Sequence, residues 1–306
     1  MSSQTTAAGP ADTALTMKSL AAMLLLAVMW GLSIPVTKLG LVTMPPLTLT
    51  ALRFAIALPI LLFLIIGRQR MPLRALPRVA GLGILGIGVG QVTQTLGVVG
   101  TSASIGTIIS AAIPMFVVLF AALRLKQSIS PRQLLGLVTA FAGIAIVASG
   151  NGSGASALQT SLSGAVLLLI SALAVAFYYV WSVELTELYG TATVAAWSTL
   201  FGFLALMPWT AWEISHSQFE ITVEAVASAA YLGVIVTAAG LFLWLKLLRT
   251  VPARTAASVQ YLQPVVGVIA SSLMFGDSLG LFFILGVMLV LVGLALTMAA
   301  RRNSGA

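Results

Sequence analysis

The sequence predicts an all-α integral membrane protein: ten transmembrane helices, arranged as two inverted five-helix repeats. Three observations carry this: long apolar runs, the exclusion of charge from them, and an internal match at a spacing of 150 residues. Of 306 residues, 59% are apolar and 7% charged. A soluble domain carries roughly 25% charge because its surface faces water. This chain cannot coat a water-facing globule. With zero cysteines and one histidine, it also lacks material for a disulfide framework, a thiolate metal site or a Ser/His/Asp triad.

Ten apolar stretches follow one another at 19–37, 46–66, 79–100, 104–123, 133–149, 162–183, 193–211, 225–245, 255–275 and 279–299. Each is close to the roughly 20 residues that carry a helix across about 30 Å of hydrocarbon. Barrel strands would alternate polar and apolar residues over about 10 positions, and these runs do not. Together they hold a single charged side chain, Arg53.

Basic residues collect on the cytoplasmic side of bacterial-type membranes, which sets topology. With the N-terminus inside, the inner segments hold Lys18, Arg68, Arg70, Arg74, Arg78, Arg124, Lys126, Arg132, Lys246, Arg249, Arg254, Arg301 and Arg302. Only Lys38 and Arg53 fall elsewhere. The outer loops carry Glu213, Glu220, Glu224 and Asp277, with 212–224 the longest of them and His216 within it. The expectation is a bacterial inner-membrane protein with both termini cytoplasmic. The net charge of +8 then reports topology rather than nucleic-acid binding. The head lacks the basic region and small-residue cleavage site of a signal peptide, so the first helix is expected to be retained.

Sliding the sequence against itself by 150 residues pairs Pro114 with Pro264, Gly136 with Gly286, Gly143 with Gly293 and Ala145 with Ala295. At the starts of the first and sixth stretches, Leu24 to Leu26 resemble Leu167 to Leu169, at a slightly shorter offset. The expected organisation is a cytoplasmic tail (1–17), a first repeat (18–149), a flexible Gly/Ser-rich linker (150–161), a second repeat (162–300) and a short tail (301–306). Five helices per repeat is odd, so the second repeat must enter the membrane upside down. Inverted repeats recur in secondary transporters, with a site near mid-membrane between the halves.

The first two helices carry Trp30-Gly-Leu-Ser-Ile-Pro-Val-Thr-Lys38, Pro45-Pro46 and Ala51-Leu-Arg-Phe54. With the paired Pro and Gly positions, the chain resembles the ten-helix EamA-type branch of the drug/metabolite transporter superfamily over about 18–300. Within it, the resemblance is greatest to bacterial exporters of aromatic and neutral amino acids. Members of that family often have Arg at the position of Arg53 whatever the substrate, so the resemblance implies a structural role for it. Arg124-Leu-Lys126 departs from the family, which often has an acidic residue after the fourth helix; a loop position there would bear on topology.

Polar groups on spanning helices need a cavity or a partner. Gln91 and Gln94, with Thr95 beside them, could line a cavity for a neutral or zwitterionic ligand or tie helices together. Trp30 and Ser33, Ser110, Tyr178, Tyr231, Gln260 and Tyr261 complete the expected substrate-binding set, their rings stacking on an apolar group. The alternative for the aromatics is the interfacial belt, favoured for Trp181, Tyr189, Trp197, Trp209 and Trp212. Pro114 and Pro264 are candidate gates or hinges, with a static kink as the alternative. Arg53, with Lys38 near the outer mouth, is a possible carboxylate contact; snorkelling or a bond to a helix-end carbonyl competes. The glycine pairs on the fifth and tenth helices point to packing, with dimerisation the minority reading.

Neither a catalytic residue, a cofactor nor a metal site is expected. No acid lies at mid-membrane, which favours facilitative movement. The expected function is export of small metabolites, aromatic or neutral amino acids first, by alternating access. Proton-coupled exchange of another amphipathic solute or drug is the alternative, and a non-transporting receptor or scaffold the alternative of another class. The expected partners are the bilayer and a small-molecule substrate, without nucleic acid, in a monomer or homodimer.

Overall fold

A computed structural model describes residues 17–67, 71–126, 129–149, 161–250, 259–277 and 279–299. The interdomain linker and both expected tails fall outside these residues, apart from Met17 and Ser161. The described residues are helical: α1 (Met17–Gly31), α2 (Ser33–Gly40), α3 (Pro46–Phe63), α4 (Leu76–Leu82), α5 (Gly90–Val99), α6 (Ala103–Ser110), α7 (Ile113–Leu125) and α8 (Pro131–Ala148) form the first part. Then come α9 (Leu162–Trp181), α10 (Val183–Tyr189), α11 (Thr191–His216), α12 (Val223–Ala230), α13 (Gly240–Thr250), α14 (Val259–Phe275) and α15 (Leu281–Ala299). Eight runs are long and apolar enough to cross a membrane, and Leu262–Phe275 and Leu281–Thr297 are shorter apolar helices.

Local sequence explains the helix starts. Ser130 accepts from the Gln133 amide while the Gln133 side chain accepts from the Ser130 amide, and Pro131 occupies the first helical position of α8. Ser102, Ser161 and Thr222 cap α6, α9 and α12 in the same way, each accepting from the amide three residues on. Outward faces remain greasy: Leu24, Leu25, Phe63, Leu134, Leu135, Phe282 and Met288 are all exposed. In water this would be a sticky surface, whereas in lipid it is the solvated one.

The long runs are not continuous α-helices. The first breaks at Leu32, between α1 and α2, and the sixth breaks at Ser182, between α9 and α10. The third and eighth each contain a π-helical segment, Gly83–Val89 and Tyr231–Ala239, running directly into Gly90 and Gly240. Ahead of Pro114 the fourth helix breaks at Ala111–Ala112, because proline has no N–H and its ring meets the carbonyl four residues back. Pro264, expected to interrupt its helix in the same manner, instead sits inside the unbroken α14.

Packing fixes helix directions. A Cβ on Gly136 would stand 2.6 Å from Gly293 O, and one on Gly143 would stand 2.6 Å from Gly286 O. As numbers rise along α8 they fall along α15, so these two helices are antiparallel and backbone touches backbone. The glycine pairs serve packing within one chain. Similarly α3 and α11 run antiparallel: Thr48 meets Glu213, Phe54 packs with Leu206 and Leu61 with Ala196. The third-helix glycines also admit neighbours, Gly86 against Tyr178 and Gly90 against Val175.

Two expectations need correcting. The loop expected at 212–224 is confined to 217–222, because α11 continues to His216 and α12 starts at Val223. Glu213 is consequently a buried helical residue, 7% exposed, rather than a solvated loop carboxylate. Arg124 likewise belongs to the last turn of α7, not to a loop.

Candidate functional site

Arg53 lies on α3 where that helix meets the π segment Tyr231–Ala239, and the contact is close because residue 233 is glycine. A Cβ there would stand 2.7 Å from Arg53 O. Arg53 is buried at 8% exposure. Its Nη1 donates to Gln91 Oε1 at 2.6 Å and its Nε donates to Thr237 Oγ1 at 3.1 Å. No carboxylate lies within ion-pair distance of it among the described residues. A guanidinium carries five N–H donors, so three remain for something else. Tyr179, half-exposed at 47%, stands within electrostatic reach of the same guanidinium.

The surrounding polar groups form a chain. Gln91 O accepts from Thr95 Oγ1 at 2.9 Å, and Thr95 Oγ1 accepts from Thr50 Oγ1 at 2.9 Å. Gln94 is buried on the adjacent position of α5. Tyr178, half-buried over Gly86, has its ring 6.1 Å from that of Tyr179. Helices two, three and eight thus deliver a cation, an amide and hydroxyls to one place, and the sixth adds Tyr179 near the cation and Tyr178 beside Tyr179. Such a set can hold a carboxylate on the cation and a ring or apolar group against the tyrosines.

Other expected site residues are placed differently. Trp30 Nε1 donates to Val236 O at 3.2 Å, and the Tyr231 hydroxyl donates to Met29 O at 3.1 Å. Both bonds tie the first helix to the eighth, which is the helix-joining role. Trp30 also meets Trp244, ring to ring at 5.8 Å. Lys38 donates to Val98 O, Val99 O and Thr101 O at 2.8, 3.2 and 2.7 Å. Its ammonium therefore caps the C-terminal end of the third helix, where a cation meets unpaired carbonyls. Ser33 and Ser110 are half-buried beside the breaks in the first and fourth helices. Gln260 and Tyr261 belong to α14, but their side chains lie outside the described residues.

Sequence reasoning passed over Thr237 and read Glu213 only as a loop carboxylate. Thr237 gave no signal, being one hydroxyl in an apolar run. Gln263 has a buried Nε2 without a hydrogen-bond partner among the described residues. Glu213 accepts from the Leu47 amide at 3.2 Å, the Thr48 amide at 2.7 Å and Thr48 Oγ1 at 2.8 Å. A carboxylate from α11 thereby caps the N-terminus of α3. Asp277 does the same for α6, accepting from the Ser104 amide at 3.1 Å. Trp181, expected in an interfacial belt, stacks on Phe177 at 4.6 Å and lies 5.6 Å beneath the Arg124 guanidinium. Trp209 and Trp212 are exposed, as a belt requires. Among the described residues, no group of three acids or histidines could hold a metal ion.

Comparison with known proteins adds what geometry cannot. A transporter of Archaeoglobus fulgidus is 26% identical over 285 residues, covering 93% of this chain and all of that one. A probable amino-acid metabolite efflux pump of Salmonella typhimurium is 28% identical, covering 89% of this chain and 91% of that protein. One solved crystal structure superposes with a TM-score of 0.62 at 18% identity, covering 94% of this chain and 99% of that chain, a likeness of fold. The profile of the EamA-like transporter family matches twice, over 17–149 and again over 162–299. This multi-pass membrane protein therefore belongs to the EamA-like transporter family, within the drug/metabolite transporter superfamily.

Proposed function

We propose that the chain exports a small amphipathic metabolite, an aromatic or neutral amino acid first, by alternating access between two inverted five-helix repeats. The observation that carries this reading is Arg53: a buried cation bonded to two neutral acceptors, with no carboxylate at ion-pair distance among the described residues. A buried charge left without a counter-ion is costly, and a substrate carboxylate would supply it. Gln91 and Tyr178 then hold the rest of the molecule. The antiparallel directions of α8 against α15 and of α3 against α11 are what an inverted pair of repeats requires. Relatives named as amino-acid efflux pumps agree with the cargo. The loop charges support a cytoplasmic position for both termini.

Binding must favour the occluded state enough to drive rocking, yet release must remain possible. No acid contacts Arg53 among the described residues, which supports facilitative movement. The test is uptake of labelled L-phenylalanine and L-tryptophan into proteoliposomes, with and without a proton gradient. Uptake above protein-free vesicles that ignores the gradient is expected. Strict gradient dependence overturns facilitation, and absence of uptake for both overturns the amino-acid cargo.

A further inference from the structure

Many threonine hydroxyls on the spanning helices donate to the carbonyl one α-helical turn back, and Thr237 does not. Thr37, Thr95, Thr107, Thr139 and Thr297 each donate to the carbonyl four residues back, the α-helical partner. Thr237 donates instead to Leu232 O, five residues back, at 2.8 Å. That partner exists because Thr237 lies in the π segment Tyr231–Ala239, whose extra residue per turn shifts the register. In α register the partner would be the carbonyl of Gly233. With its one proton spent on Leu232, the hydroxyl turns its lone pairs outward, and the Arg53 Nε donates to them. Gly233, one turn earlier, lets α3 approach until the two groups meet.

We infer that Thr237 is a positioning residue: the π register aims its hydroxyl at Arg53, and this holds the guanidinium so that its free N–H groups face a substrate carboxylate. The inference rests on the proposed reading of Arg53 as the carboxylate contact. The arrangement is not a generic snorkel, since an arginine left to itself would follow its flexible stem toward water. It also gives a reason for selectivity. A fixed guanidinium rewards a carboxylate in bidentate geometry, whereas a wandering one does not.

The test compares the wild type with Thr237→Val, which keeps shape without the hydroxyl, and Thr237→Ser, which keeps the hydroxyl. Thermal melting in detergent is measured with L-phenylalanine, 3-phenylpropanoate and phenethylamine, followed by proteoliposome uptake of L-phenylalanine. Both carboxylates, but not the amine, should stabilise the wild type. Thr237→Val should raise the KM for L-phenylalanine about tenfold with kcat within about twofold, and Thr237→Ser should restore it. Backbone hydrogen exchange over 231–240 should quicken in Thr237→Val and not in Thr237→Ser. Carboxylates that stabilise the wild type and Thr237→Val equally overturn the role of Thr237 while leaving Arg53 its function. A wild type indifferent to every carboxylate overturns the carboxylate reading first, and this inference falls with it. Unchanged exchange in Thr237→Val overturns the register argument whatever the ligand result.

Discussion

The two segments that match the family profile share their irregularities and differ in their chemistry. Moving 150 residues along the chain carries the break at Leu32 onto the break at Ser182, and the junction at Gly90 onto the junction at Gly240. It also carries Arg53 onto Phe203, Gln91 onto Leu241, Lys38 onto Leu188 and Phe63 onto Glu213. The backbone is repeated where helices must bend or touch. The polar groups are not repeated, and they work across the divide: the cation comes from one segment and its threonine acceptor from the other. Both capping carboxylates, Glu213 and Asp277, belong to the second segment and cap helices of the first. A duplicated scaffold thus leaves each half free to specialise, while the contacts between them are made by unlike groups.

Breaking the repeated part should have the largest effect. Gly136→Leu or Gly293→Leu places a side chain where the facing carbonyl is 2.6 or 2.5 Å from the first added carbon. Separating α8 from α15 by overpacking is expected to cost about 3 kcal/mol or more. Loss of the monodisperse peak on size-exclusion chromatography would show it, and a normal peak with an unchanged melting temperature would refute the contact.

The unlike part separates function from stability. Arg53→Met should reduce L-phenylalanine transport at least about tenfold, while Phe203→Met stays within about twofold. Since a buried charge is expensive, the Arg53→Met protein should melt no lower than the wild type. A large drop in melting temperature instead would mean that Arg53 serves the fold.

Glu213 and its counterpart Phe63 give a third contrast. Glu213→Ala leaves the Leu47 and Thr48 amides without their acceptor and should cost about 1–3 kcal/mol in denaturant unfolding. Phe63→Ala, at a position 73% exposed on the outer surface, should cost far less. Equal losses would contradict the capping role. The smallest effect belongs to Arg124 and Glu184, joined at 3.2 Å with Glu184 60% exposed. Glu184→Gln should change stability by less than about 1 kcal/mol, because an exposed ion pair is screened and entropically costly.

How much of this was legible in the sequence depends on what each feature needs. Spanning helices need a long apolar run, which composition displays directly. The Gly136/Gly143 and Gly286/Gly293 pairs were legible because packing through glycine leaves a spacing. The π segments were not, since one extra residue per turn alters neither apolar content nor length. Lys38 looked like a mouth residue because its partners are backbone carbonyls, which have no sequence signature. Glu213 was read as a loop because a charge usually ends a span; here α11 runs on past Trp209 and Trp212 and buries the acid against a helix start. Arg53 stood out as the one charge in an apolar run, but its acceptor Thr237 did not.

The absence of cysteine makes the central claim directly testable. Gln91→Cys, oriented in vesicles, would be labelled with a membrane-impermeant thiol reagent from each side, with and without saturating L-phenylalanine. Labelling from both sides, with the substrate raising one rate and lowering the other, is the expected result. Labelling that is unaffected by substrate, or confined to one side under every condition, would contradict a polar centre that opens alternately.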